Sequence, residues 1–489
     1  MKIKYLLSVI AIVAVTKNSF AQYSQDVIRF SGGQIGSTAR IKAIGNAGTA
    51  IGGDLSSISG NPAGLGFFTR SELSITPEYN ATKVKATYFG QTATDTKNSG
   101  NINHAAFLVY NQLTKPRGAD KTKGWLSVNY GAAYNRTNDF YENIHYNGLN
   151  TGNSINNYYA NQANSFGVGD NTLAGFAYGQ NLIDLYGAAN PTYQSNTVGS
   201  VNQESFTSRT GGQSAVDFSL GANYSNKLYI GLGLSFSNLR YNSSSTFYED
   251  GTASILETAG AVNRAYSSAY SQDQVTRGTG FAARLGLIYK PVESVRLGAT
   301  FTSPTFYNVD DTYSEGLATN ITNNGSYTDG PQSYTLNYNF RTPLKLAGGA
   351  AVFIKQFGFI SGDVEYVDYS SAHISSNEDF NANGDNTDIK NIYKSAVNAR
   401  VGAEARLSSM FLLRGGYGVQ GDFRKNNGSD IKTASGGIGL RFGSYYVDAT
   451  YTHVTGNQTI LPYEIGSGSP SVLLNRTTDN GYLTLGYRF

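Results

Sequence analysis

Strict two-residue alternation runs through this chain and leaves few folds open to it. In KLYIGLGLSFS, Leu228, Ile230, Leu232, Leu234 and Phe236 alternate with Tyr, Gly and Ser. A period of two puts the apolar set on one face of an extended strand, because successive side chains point to opposite sides. SAVDFSLGANY sets Val216, Phe218, Leu220 and Tyr224 against Asp217 and Ser219. VNARVGAEARL sets Val397, Ala399, Val401, Ala403 and Leu407 against Arg400, Glu404 and Arg406. The runs reach about ten residues, as in a tilted membrane strand, whereas strands of soluble sheets average about 5–6.

Fourteen such runs follow Ser71, an even number, as in single-chain bacterial barrels. Their cores are Glu72–Asn80, Ile102–Leu113, Gly124–Asn138, Gln213–Tyr224, Lys227–Tyr241, Gly278–Tyr289, Ser294–Phe306, Thr335–Phe353, Phe357–Tyr369, Ser395–Leu407, Met410–Gln420, Ile431–Phe442, Tyr445–Val454 and Asn480–Phe489. Short connections (SNK, KPVES, KQ, SS, GS) alternate with long ones, of which Asp139–Gly212 is the longest; the one departure is TKPRGADKTK (Thr114–Lys123), longer than a tight turn. That rhythm predicts periplasmic turns, long extracellular loops and both termini on the periplasmic side. Within the longest loop, NTLAGFAYGQNLIDLYG is apolar enough to form a short helix.

The ends agree with an outer-membrane barrel. Lys2 and Lys4 precede an apolar run, Tyr5–Val15, and Ser19-Phe20-Ala21 supplies small residues for cleavage. Residues 1–21 are expected to be a signal peptide, leaving Gln22 first. The run is shorter than the roughly 20 apolar residues of a spanning helix. At the other end, Gly481, Leu483, Leu485, Tyr487 and Phe489 share one face of a terminal strand. A C-terminal Phe on such a strand resembles the signal that outer-membrane proteins present to their insertion machinery. A mean hydropathy of −0.31 fits as well, because only alternate residues of a barrel strand face lipid.

Charges lie on the polar face of these strands: Asp217, Arg284, Arg296, Asp363, Glu365, Arg400, Glu404, Arg406, Arg414, Arg441 and Asp448. On the lipid face each would cost about 2–4 kcal/mol near the midplane, so they are expected to line the lumen. They read as a paired network filling the interior, or as an arginine clamp on a carboxylate ligand or plug. A fourteen-strand barrel is too wide for its own side chains to close. The segment 22–70 is the expected hatch, with small residues from Ala43 to Gly53 and a stiff bend at Pro62. Residues 71–489 form the barrel.

GDLSSISGNPAGLGFF (Gly53–Phe68), followed by SELSITPEYN, resembles the hatch and first strand of the FadL/TodX family of outer-membrane transporters of hydrophobic compounds. The family's Asn-Pro-Ala motif falls on Asn61, Pro62 and Ala63. RTPLKLAGGAAVFIKQFGFISGDVEYVDYS, VNARVGAEARLSSMFLLRGGYGV and GGIGLRFGSYYVDATYTH are similar to later strands of the family. The resemblance implies an all-β, fourteen-strand antiparallel barrel whose lumen is plugged by the hatch. It also implies passive uptake of a fatty acid or aromatic hydrocarbon, delivered sideways into the membrane through a kink in the third strand. Gly131, in VNYGAAYN, is a candidate for that kink, or equally a packing glycine under an aromatic.

Other chemistry finds little support. The chain has no cysteine, hence no disulfide or thiolate metal site, and its net charge of +3 gives no case for nucleic acid. It lacks Gly-x-Ser-x-Gly, His-Glu-x-x-His and phosphate-loop motifs, and His104, His145, His373 and His453 are scattered without a haem-attachment motif, so no enzyme is expected. One extracellular loop has calcium-like spacing: Asp379, Asn381 and Asn383 at positions 1, 3 and 5, then Gly384, with Asp385 and Asp388 as further ligands. Position 12 is Lys390 rather than a bidentate Glu, so a polar hairpin fits the same residues. The alternative function is a non-transporting subunit of an outer-membrane secretion or assembly complex, its long loops docking protein partners.

Overall fold

The computed structural model describes residues 20–489, apart from Ile35, Ala119, Ala259, Asp379 and Asn427. Of Phe20, Ala21 and Gln22 only the backbone is described, so the expected signal peptide lies almost wholly outside the described residues.

Fourteen strands form the wall: β1 (Glu72–Tyr88), β2 (Gln91–Val109), β3 (Trp125–Asp139), β4 (Thr197–Tyr224), β5 (Leu228–Glu257), β6 (Gly260–Val292), β7 (Val295–Thr302), β8 (Lys345–Ile354), β9 (Gly358–Asp368), β10 (Ser395–Arg406), β11 (Phe411–Gln420), β12 (Ile431–Phe442), β13 (Tyr445–Ile460) and β14 (Val472–Arg488). Neighbours pair antiparallel, and β14 closes on β1 with Glu72 opposite Arg488. Among the described residues five helices accompany them: α1 (Phe20–Ser31), α2 (Ala39–Ala43), α3 (Ile155–Phe166), α4 (Leu173–Gly179) and α5 (Asn383–Ile392).

The near end of the barrel holds Glu72, Arg488 and tight turns such as Ser225–Asn226, where φ is 55° and 54°. Two consecutive positive φ values match the right-handed twist of the flanking strands. Around the outside, alternate side chains are apolar and uncovered: on β5, Ile230, Leu232, Leu234 and Phe236 are 39–50% exposed. Aromatic side chains gather at the near rim, where Trp125 packs on Tyr224, and Tyr487 on both Tyr445 and Phe489. An apolar band ending in aromatics is what a hydrocarbon layer bounded by an interface selects. No described helix is long and apolar enough to cross a membrane.

Beyond the band the structure departs from the sequence reading. The long loops are largely continuations of the ladder: β4, β5 and β6 run for 28, 30 and 33 residues. The expected strand Thr335–Phe353 is two strands, because Pro343 interrupts the run after Arg341. Its first part belongs to a hairpin, Phe306–Ile321 with Gly325–Arg341, that pairs on the far half of β6. These extensions, with Glu142–Asn150, α3 and α4, enclose a second core around Tyr88, Tyr159, Phe176, Phe247, Tyr270 and Leu474. The short helix expected in the longest loop is α4.

Glu249 lies at the base of that core, fully buried, and accepts from the Ser154 hydroxyl, the Ile155 N–H, Gln203 and Tyr266. It thereby caps α3 from another strand. Burial still raises its carboxyl above the usual range.

Candidate functional site

The residues ahead of β1 lie inside the wall and touch it on all sides. Backbone groups are the main point of contact, because a segment with little regular structure carries many donors and acceptors that burial obliges it to satisfy. The Ala39 N–H donates to Thr484 on β14, and Thr450 on β13 donates to the Ala39 carbonyl. Ser435 on β12 donates to Ala43, Ser219 on β4 to Ile58, and Asn129 on β3 to Leu65 and Phe68. The Thr49 N–H donates to Asp363 on β9.

Glycines at inward positions make this approach possible. A Cβ at Gly416 or Gly402 would overlap Ile44; at Gly298, Thr49; at Gly286, Asn61; at Gly231 and Gly221, Pro62. Each lies mid-strand on the inward parity, where a side chain would otherwise hold the segment off the wall. These residues were missed in the sequence. Their signal was there, in glycines recurring on the charged rather than the apolar face.

Asn61, Pro62 and Ala63 sit in this seat, all buried. The Asn61 amide donates to the carbonyls of Thr49 (2.7 Å), Leu287 on β6 (3.2 Å) and Ala299 on β7 (3.4 Å). Its oxygen accepts the Ala63 N–H and so caps the 3-10 turn Pro62–Phe67. Backbone groups satisfy both ends of this amide. Phe67 stacks on Tyr229, and the Arg296 guanidinium lies between Phe67 and Phe353, 4.1 and 4.0 Å from the ring centres.

The lumen charges fall into paired groups. Arg40 of α2 and Arg414 both donate to Glu404, and Arg414 and Arg441 both donate to Asp448. Arg400 pairs with Glu365 at 2.9 Å, and Arg284 lies 3.7 Å from Asp217. Arg406 has the inward parity but sits exposed at the near rim. A polar cavity of about 100 Å³ remains between the segment and the wall, lined by Asp54, Asn61, Thr300, Lys345, Glu365 and Arg400 among others.

Higher up, α1 closes the far half of the lumen. Tyr23, Val27, Ile28 and Phe30 pack with Phe140, Tyr241, Tyr307, Tyr338 and Phe340 from the wall extensions, and with Ile389 of α5. The barrel strands thus begin and end at the near end, while the helix that precedes them sits toward the far one.

The wall itself parts between β2 and β3. Their ladder runs only from Val109 opposite Tyr130 to His104 opposite Asn135, although β2 continues back to Gln91 and β3 on to Asp139. Above the last pair, the gap is bridged at its top by the Asp139 carboxylate, which accepts from Asn80, Ser99 and Asn101. Residues of the inner segment stop the opening. A Cβ at Gly36 would lie 2.7 Å from the Asn103 carbonyl and 2.8 Å from that of Arg136, one on each lip; at Gly33 it would lie 2.8 Å from the Thr137 carbonyl. Asn103 also donates to the Ser37 carbonyl. Through β1, the opening stands level with Pro77–Asn80, within the apolar band.

Gly131 is not the kink. Register with both neighbours is unbroken there, opposite Leu108 and Ser219, and its missing Cβ makes room for Ile58. Register shifts elsewhere: within β3 between Arg136 and Asn138, beside the opening, and between Trp125 and Ser127 near its start, and in the β1–β2 ladder between Thr76 and Pro77. Pro77 was the legible signal, since a proline inside a ladder marks an edge or a bulge. The loop with calcium-like spacing is described only in part. Asp379 lies outside the described residues, and 383–392 are helical (α5) rather than wrapped about a centre. Asp385 turns inward, fully buried, toward the Ser24 backbone of α1. Asn381 accepts the Asn383 N–H, and Asp388 lies on the helix.

No family model matches the sequence, and no curated protein matches it. Solved structures do match. A FadL homologue from Pseudomonas aeruginosa superposes with a TM-score of 0.54 at 12% identity, over 93% of this chain and 98% of that one. A deltaS2 mutant of the TodX monoaromatic hydrocarbon channel also gives 0.54 at 12% identity, over 93% and 99%. The CymD monoaromatic hydrocarbon channel gives 0.50 at 12%, over 93% and 98%. The fold is therefore that of the FadL- and TodX-type outer-membrane barrels.

Proposed function

We propose that this barrel passes a hydrophobic small molecule, of the fatty-acid or aromatic-hydrocarbon class, across the outer membrane and releases it sideways. The inner segment acts as its hatch. One observation carries the reading: the wall is unpaired between β2 and β3 within the apolar band, and among the described residues Gly33, Gly36 and Ser37 of the inner segment stand against the lips of the gap. A wall fault at that height opens onto hydrocarbon, not water, so it suits an apolar cargo. The channels it resembles in fold are described as carrying monoaromatic hydrocarbons.

Because the chain has no native cysteine, the hatch can be locked to the wall selectively. Ser37→Cys with Asn103→Cys should form a disulfide that stops uptake of a radiolabelled fatty acid or toluene, with recovery on reduction. Undiminished uptake by the oxidised pair would sink the proposal. A second reading, a docking subunit of a secretion or assembly complex, is favoured by the far end. There the aromatic core around α1 and the dome above it close the lumen, while Leu256 stands 75% exposed. Stoichiometric partner proteins after mild extraction would support that reading, and a lone barrel with bound lipid the first.

A further inference from the structure

On the outside of the wall, opposite the hatch seat, five strands share a shallow groove of about 820 Å³. Its floor is made where Gly436 on β12, Ala449 on β13 and Gly481 on β14 place no bulk on the outer surface. Its banks are Tyr79, Leu413, Ile438, Tyr451 and Leu483, all exposed. Register fixes its height. Gly436, Tyr451, Gly481 and Tyr79 are opposite one another in a single row across β12, β13, β14 and β1. From Gly481 down to Phe489 the outward residues of β14 are apolar. One row above stand His453 and Asp479, paired at 2.7 Å, which mark the upper edge of the apolar band.

The next row up is basic. Lys432, Thr455, Thr477 and Lys83 are opposite one another in turn, and Lys85 follows Lys83 on the same face. All three lysines are exposed, and among the described residues none has a carboxylate within ion-pair distance. The row crosses three strand spacings, so Lys432 and Lys83 stand about 14 Å apart. They lie two rows above the groove, roughly 13 Å along the strands. A second basic pair, Arg240 opposite Arg277, occurs on β5 and β6. Beneath it the surface is filled by Phe218, Phe236 and Phe281, whose rings pack on one another.

We propose that this face holds one phosphate-bearing lipid of the far leaflet, its acyl chain along the groove and its head group on Lys83, Lys85 and Lys432. The groove alone would be ordinary annular surface. Unpaired cations directly above it, at interfacial height, select an anionic head, because clustered lysines beside a membrane surface attract negatively charged lipid. Bare backbone at Gly436 and Gly481 gives the chain a track that a side-chain-covered wall lacks. The inference is independent of the transport reading, since nothing in it requires the lumen to open.

The test is native mass spectrometry of the intact protein released from nanodiscs of phosphatidylcholine containing a minority of phosphatidylglycerol. Wild type should retain one phosphatidylglycerol in preference to phosphatidylcholine. Lys83→Gln with Lys432→Gln should abolish the preference, and Gly436→Leu with Gly481→Leu should lower retention of either lipid several-fold. Arg240→Gln should change neither. Heat-modifiable mobility reports folding of each variant; if the leucine pair fails to fold, the lysine pair still decides. A wild type without preference, or a lysine pair that keeps it, overturns the proposal. So does an equal loss in Arg240→Gln, which would mean general surface charge rather than a site.

Discussion

Single side chains tie the inner segment to the wall, and two of them make sharp predictions. Asn61 spends its amide on carbonyls of three different segments. Asn61→Ala leaves these acceptors unmatched in a buried place, at a cost of about 1–3 kcal/mol. The barrel should still assemble, while protease cleavage within 22–70 rises and permeability to hydrophobic probes changes; wild-type protection and permeability would refute the role. Arg414 has a fully buried side chain between Glu404 and Asp448. Removing one member of a buried ion network costs up to about 3–5 kcal/mol, and here Glu404 and Asp448 would each keep a single guanidinium, Arg40 and Arg441. Arg414→Leu should therefore lower the temperature at which the barrel loses its heat-modifiable form. Adding Glu404→Gln to Arg414→Leu should lower it further, because Arg40 then loses its carboxylate partner. The Asn-Pro-Ala motif was legible at this scale, and so were the inward charges. Their pairing was not, because parity along a strand says which face a charge is on and nothing of its neighbour across the lumen.

At the scale of elements, α1 is held by a set of carboxyls that titrate. Asp26 on α1 and Asp311 on the far hairpin both accept from Gln274 of β6, and Thr276 also donates to Asp311. Arg29 is the ion-pair partner of Asp26, and the buried Tyr338 ring packs on Tyr23. Across α1, Asp385 of α5 faces Ser24, with Asp388 adding to its negative surroundings. Burial pushes Asp311 up to about 6 and Asp385 up to about 7, from a usual 3.8. A carboxyl raised in the folded state is held protonated there and ionised when released. The seat of α1 is then firmest below about pH 4 and weakens as pH rises through 6 and 7. Hydrogen exchange in Val27–Ser31 should accelerate between pH 5 and 8 beyond its intrinsic rate, and Asp311→Asn with Asp385→Asn should flatten that trend; an unchanged slope would refute it. The strands were readable from their period. The far extensions were not, because polar residues such as Asn, Ser and Thr fill both faces once neither meets lipid, and the alternation that identifies a strand disappears.

For the whole molecule, the closed fourteen-strand wall was legible because lipid imposes one rule on every strand, whereas contents and lid obey many. Loss of the contents should be visible electrically. Deletion of 23–68 should leave a barrel that still forms, since its strands pair with one another, but whose lumen conducts. A large conductance step in planar bilayers, absent from wild type, is the expected result; a silent barrel would mean that the dome seals the far end alone.

Hydrogen bonds from Ala39 to Thr450 and Thr484, on the last two strands of the chain, also say something about time. The first fifty residues leave the synthetic machinery long before β13 and β14 exist, yet their resting place is completed only by those strands. The seam between β14 and β1 must therefore be zipped around contents already in position, since afterwards the tight glycine seats admit no late arrival. A segment corresponding to 22–70, supplied separately to closed barrels that lack it, should fail to restore their silence, whereas the same segment present during refolding should succeed.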